Sequence, residues 1–123
     1  MSNTIILIID DELEMHWALE KALQQEGYEI LKAASGTEGL QILASQEVSI
    51  VLLDYKMPGM TGLEALEQIR KQWPDLPVIF MTGYSSIPTA TDSIAKGTTA
   101  YVSKPFRLDD IKETIKRVLS TVK

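Results

Sequence analysis

Five short apolar runs, rich in β-branched residues, recur along the chain at Ile5–Ile9, Tyr28–Leu31, Val48–Leu53, Val78–Met81 and Ala100–Val102. Each is bounded by turn or polar residues, the mark of a strand. Between them lie stretches with helical spacing. Met15, Ala18, Leu19, Ala22 and Leu23 fall on one face, and Ile111, Ile115, Val118 and Leu119 do the same near the end. Ser35-Gly36-Thr37-Glu38 and Thr61-Gly62-Leu63-Glu64 read as capping boxes, in which hydroxyl and carboxylate each accept from an otherwise unpaired backbone N–H. Gly27 and Gly97 stand where helices should stop. The pattern is βα repeated five times. Strands that are apolar almost throughout must be covered on both faces, so the expected fold is an α/β, doubly wound, five-stranded parallel sheet. Right-handed crossovers leave few topologies for it.

At 123 residues the chain fits one domain, expected to run over 1–123. A formal net charge of −5 speaks against nucleic acid as a direct partner, because binding phosphate backbones rests on clustered Lys and Arg. The chain has no Cys, which excludes disulfides and thiolate metal sites. Its apolar runs are too short to span a bilayer, and Met1-Ser2-Asn3-Thr4 lacks the basic start of a signal peptide. No membrane association and a cytoplasmic location are the expectation.

In an open parallel sheet, ligands bind at the carboxyl ends of the strands, where the strand order reverses. The first run ends in Ile9-Asp10-Asp11-Glu12, the third in Leu53-Asp54, the fourth in Met81-Thr82-Gly83 and the fifth in Val102-Ser103-Lys104-Pro105-Phe106. Each has an ordinary explanation taken alone. Asp10 or Asp11 serves as a helix N-cap, Asp54 as turn chemistry before Pro58-Gly59, Thr82 as a strand-end hydroxyl and Lys104 as a solvated lysine. Their arrival at the same edge of one sheet is what structural accident does not explain. Carboxylates held close together repel unless a cation compensates them, and a hard, oxygen-seeking ion such as Mg²⁺ suits that site. A cation and a lysine together make a place for a phosphoryl group, and a carboxylate is a competent nucleophile toward one. Asp54 is the residue expected to receive it.

These motifs, with Met57-Pro58-Gly59-Met60-Thr61-Gly62 and Tyr101-Val102-Ser103-Lys104, resemble those of the response-regulator receiver domain of two-component signalling, in order and over nearly the whole chain. The segment from Met15 to Leu23 and the Met-Pro-Gly-Met run are most similar to receivers of nitrogen-regulatory type activators. The resemblance implies a flavodoxin-like sheet of strand order 2-1-3-4-5. It implies that Asp54 accepts a phosphoryl group from a histidine kinase or phosphotransfer protein. It implies that Asp10, Asp11, Asp54 and the backbone carbonyl of Lys56 hold Mg²⁺, with Thr82 and Lys104 completing the catalytic set. Tyr101 would be the switch aromatic, and Lys56 and Tyr84 would set how long the phosphorylated state lasts. Signalling is expected through the face made by the fourth helix, fifth strand and fifth helix, toward an output domain or a downstream protein, with dimerisation on activation left open. Gly97-Thr98-Thr99-Ala100 and Arg107 depart from the family's usual residues, away from the chemical positions.

His16, the one histidine, has no ligand partner in sequence and reads as solvated or packing. Trp73 reads as packing, and Trp17 lies off the apolar stripe. Two other functions compete. One is a degenerate receiver acting as a phosphorylation-independent adaptor, which usually lacks an acidic residue or the lysine that this chain keeps. The other is an aspartate-nucleophile phosphatase, which wants an Asp where Lys56 stands. The expected chemistry is self-phosphorylation and self-dephosphorylation, without turnover of an external substrate. Whether the domain stands free or fronts a longer regulator stays open.

Overall fold

The computed structural model describes residues 4–11, 13–54, 62–83, 100–104 and 107–121. In chain order the elements are β1 (Ile5–Ile9), α1 (Leu13–Gln24), β2 (Glu29–Ala33), α2 (Gly36–Ser45), β3 (Ile50–Asp54), α3 (Gly62–Gln72), β4 (Val78–Gly83), β5 (Ala100–Lys104) and α4 (Leu108–Thr121). The helix expected between the fourth and fifth strands falls on residues 84–99, outside the described residues, as do Gly97 and Thr61. All neighbouring strands pair in parallel, in the order β2-β1-β3-β4-β5. This is the doubly wound arrangement read from the sequence. The chain winds outward from β1 first to β2 and then, by way of β3, in the other direction, so the order reverses between β1 and β3.

Alternate residues of each strand leave opposite faces, and two separate apolar layers result. On one face Ile6, Ile8, Ile50, Leu52, Ile79 and Met81 meet Leu19 and Leu23 of α1 and Ile111, Ile115 and Val118 of α4. On the other, Leu7, Ile9, Val51, Leu53, Val78 and Phe80 meet Leu43 of α2 and Ala65, Leu66 and Ile69 of α3. Each fully buried Leu or Ile contributes about 1.5–3 kcal/mol. Leu19 and Leu23 of the first helical stripe and Ile111, Ile115, Val118 and Leu119 of the second therefore point where their spacing requires, while the side chain of Met15 lies outside what is described.

The termini of the helices follow local chemistry. Ser35 caps α2, its Oγ accepting from the Glu38 N–H at 3.1 Å, while Glu38 Oε1 accepts from the Ala34 N–H at 2.8 Å. The carboxylate thus reaches one residue further back than a standard capping box. After α1 the chain turns through Gly27 at φ 94, with Gly27 N–H donating to Gln24 O and Tyr28 N–H to Leu23 O. That is a Schellman closure, and it needs a residue without Cβ at the left-handed position. Tyr28 then packs against the layer that contains Leu23, as such closures favour.

Candidate functional site

The carboxylates come from the two strands between which the order reverses. Ile9 pairs with Leu53, so the residues that follow, Asp10 and Asp54, stand side by side where β1 and β3 end. Following the alternation of Ile6 and Ile8, and of Ile50 and Leu52, both acids fall on the same side of the sheet. Asp10 is fully buried and Asp54 is 4% exposed, whereas Asp11 is open to solvent. One carboxylate oxygen from each of Asp10, Asp11 and Asp54 lies within 4.8 Å of the other two.

That spacing fits a small divalent cation. Ligand oxygens about 2.1 Å from an octahedral Mg²⁺ are separated by about 3 Å when adjacent and about 4.2 Å when opposite. The donor set is also of the right kind, with hard anionic oxygens and one exposed side where waters can complete the shell. Two buried carboxylates with a third beside them also create the negative charge that a cation compensates.

The remaining positions arrive by register. Asp54 pairs with Met81 of β4, Thr82 pairs with Ser103 of β5, and Gly83 pairs with Lys104. Thr82 and Lys104 are therefore backbone neighbours at the same edge as the carboxylates, and Tyr101 lies further back on β5, opposite Phe80. The side chains of Thr82, Tyr101 and Lys104 fall outside what is described, as do Lys56 and Tyr84 altogether. Trp17 is 64% exposed on α1, with the Lys21 ammonium 5.8 Å from its ring centre, in keeping with its place off the apolar stripe. Trp73 is partly buried against the α2 and α3 layer.

One relationship at the site escaped sequence reasoning. On the opposite face from Asp10, the side chain of Ile9 lies directly under Gly39 of α2, with no space for a Cβ there. A glycine in the middle of a helical stretch was the available signal.

The comparisons bear on the family and the fold. The family model of the response regulator receiver domain matches residues 6–116. The DNA-binding transcriptional regulator NtrC of Escherichia coli K12 is 37% identical over 120 residues, which is 98% of this chain and 26% of that protein. The chain thus spans about a quarter of the length of the NtrC relatives it matches. Sporulation initiation phosphotransferase F of Bacillus subtilis 168 is 34% identical over 97% of this chain and 96% of its own length. Among solved structures, a CheY-like receiver domain protein from Methanospirillum hungatei JF-1 superposes with a TM-score of 0.93 at 36% identity, covering 98% of this chain and 96% of that one. From its sheet order to the extent of that family match, the chain belongs to the response regulator receiver domains of two-component signalling.

Proposed function

We propose that this chain is a single receiver domain over residues 1–123, and that Asp54 is its phosphoryl acceptor. The observation that carries the reading is the convergence of Asp10, Asp11 and Asp54 where β1 and β3 end. The donor is a phosphohistidine of a histidine kinase or phosphotransfer protein in the cytoplasm. An Asp54 carboxylate oxygen attacks phosphorus, and a new O–P bond forms as the N–P bond breaks with its electron pair passing to the imidazole nitrogen. Asp10, Asp11, Asp54 and the Lys56 carbonyl would hold Mg²⁺, which when bound neutralises charge on the transferring oxygens. The Thr82 hydroxyl donates to a phosphoryl oxygen, and the Lys104 ammonium pairs with another. Hydrolysis of the acyl phosphate returns Asp54 to a carboxylate.

Transcription control is the output we propose for the protein that carries this domain, by analogy with relatives named as DNA-binding transcriptional regulators. The acidic balance of this chain leaves any DNA contact to another segment. Intact-mass analysis after incubation with MgCl₂ and acetyl phosphate tests the acceptor. Wild type should gain one phosphoryl group and Asp54→Asn none. Equal labelling of the Asn variant would overturn the assignment.

A further inference from the structure

We infer that Gly39 is a positioning residue for the divalent-cation site, acting through Ile9 on the adjacent Asp10. The inference rests on the cation-binding reading given under Proposed function. A Cβ placed on Gly39 would lie 2.8 Å from Ile9 Cγ1 and nearer still to Cδ1, with Cγ2 at 3.6 Å. Contacts that close force something to move. Ile9 is fully buried, and its strand neighbours Ala33 and Leu53 belong to the same layer, so its side chain swings only against packed neighbours.

Nor is the helix free to lift. Its first turn is fastened to the segment leaving β2 by the Ser35, Glu38 and Ala34 hydrogen bonds, and the Gly39 N–H itself donates to Ser35 O at 3.0 Å. The displacement therefore passes to the end of β1. Ile9 and Asp10 leave opposite faces of that strand end and share one peptide unit, so a push on the first shifts the second. A near-octahedral ion tolerates little change in where its oxygens lie. Helix propensity favours Ala over Gly at such a position, so the missing methyl group runs against local preference.

Calorimetric titration of the full chain with MgCl₂ tests the idea, using wild type, Gly39→Ala, Gly39→Ala with Ile9→Val, and Leu43→Val. The last removes apolar volume one turn along the same helix, in the same layer. Gly39→Ala should weaken Mg²⁺ binding about tenfold, the lower end of what changes behind metal ligands cost. Adding Ile9→Val removes Cδ1, the nearest of the contacting atoms, and the volume it vacates lets the remaining methyl groups turn away from α2, which should restore affinity to within about twofold of wild type. Leu43→Val should melt earlier and bind as wild type does. A folded Gly39→Ala protein with unchanged affinity, or a Leu43→Val protein weakened as much, overturns the positioning role. Should Gly39→Ala fail to fold, the double variant decides: folding and binding support the role, and failure of either overturns it. Wild type that takes up no Mg²⁺ would instead overturn the cation-binding reading beneath it.

Discussion

Asp10 donates its backbone N–H to the carbonyl oxygen of Ala33 at 3.0 Å, one position beyond the last paired residue of β1. The ladder to β2 thus continues into the acid itself, while β3 flanks it on the other side. Asp10 cannot relax away from Asp54 without breaking sheet.

The first prediction concerns the repulsion this imposes. In EDTA, Asp10→Asn should be more stable to urea than wild type by about 1–2 kcal/mol, because one of two neighbouring buried charges is gone. With MgCl₂ at about a hundredfold above Kd, wild type should gain about 2.7 kcal/mol and the variant nearly nothing. An Asn variant less stable than wild type in EDTA would contradict the account.

Arg70 offers the second. Its Nη1 donates to Trp73 O at 3.1 Å and to Leu76 O at 2.6 Å, so one guanidinium closes the turn between α3 and β4. Burial lowers its pKa from the ordinary arginine value, and the charge of Asp75 opposes that. Arg70→Met keeps most of the stem but leaves the carbonyls without this donor, and should cost about 1.5–3 kcal/mol in urea unfolding. A midpoint unchanged from wild type would show that water replaces the donor freely.

A third prediction is electrostatic. Glu26, just after α1, meets Lys112 at 3.7 Å and Lys116 at 3.3 Å on α4. Lys116 is largely solvated, so Glu26→Gln should cost only about 0.2–1 kcal/mol at low salt. At about 1 M NaCl the difference from wild type should vanish, since screening then acts within a few ångströms. A difference that persists at high salt would mean that Glu26 acts through something other than charge.

The fourth follows from strand register. Phe80 pairs with Tyr101 and Thr82 with Ser103, which makes Thr82 and Tyr101 diagonal neighbours on adjacent strands. A hydroxyl drawn toward a phosphoryl group would bias the aromatic residue between two arrangements. Beryllofluoride, a phosphoryl mimic, should therefore shift amide resonances from Gly83 to Phe106. Shifts confined to the surroundings of Asp54 would count against the coupling.

Persistence of the signal is the fifth. Lys56 and Tyr84 stand two positions beyond Asp54 and Thr82 in sequence. Water must attack in line, opposite the leaving carboxylate oxygen, so a long cationic chain and a large ring there should slow it. Lys56→Asn with Tyr84→Ala should lose its phosphoryl group faster than wild type after donor removal. Equal decay would locate the control elsewhere.

Strand β1 was legible residue for residue because it is central and wholly apolar. Strand β2 was legible as an element but not in its bounds: the apolar run Tyr28–Leu31 stops short of Ala33, because Lys32 is exposed on an edge strand, where apolarity stops marking the element. Val48 and Ser49 belong to the third apolar run but precede β3. Ser49 instead exchanges hydrogen bonds with the Ile5 backbone, which a pattern of side chains does not reveal. Asp10 and Asp54 could be read as a pair because parallel topology sends strand ends to one edge. The seat of Ile9 beneath Gly39 could not, because it depends on how closely a helix approaches a sheet.

Among the described residues the sheet divides the interior into two apolar layers that share no side chains, one roofed by α1 and α4 and the other by α2 and α3. A substitution in one layer therefore reaches the other only by moving the strands that both layers share. Mechanical traffic between them is left to the strands themselves. The acids sit at the rim of that partition, where a movement of one strand end is felt on both floors at once.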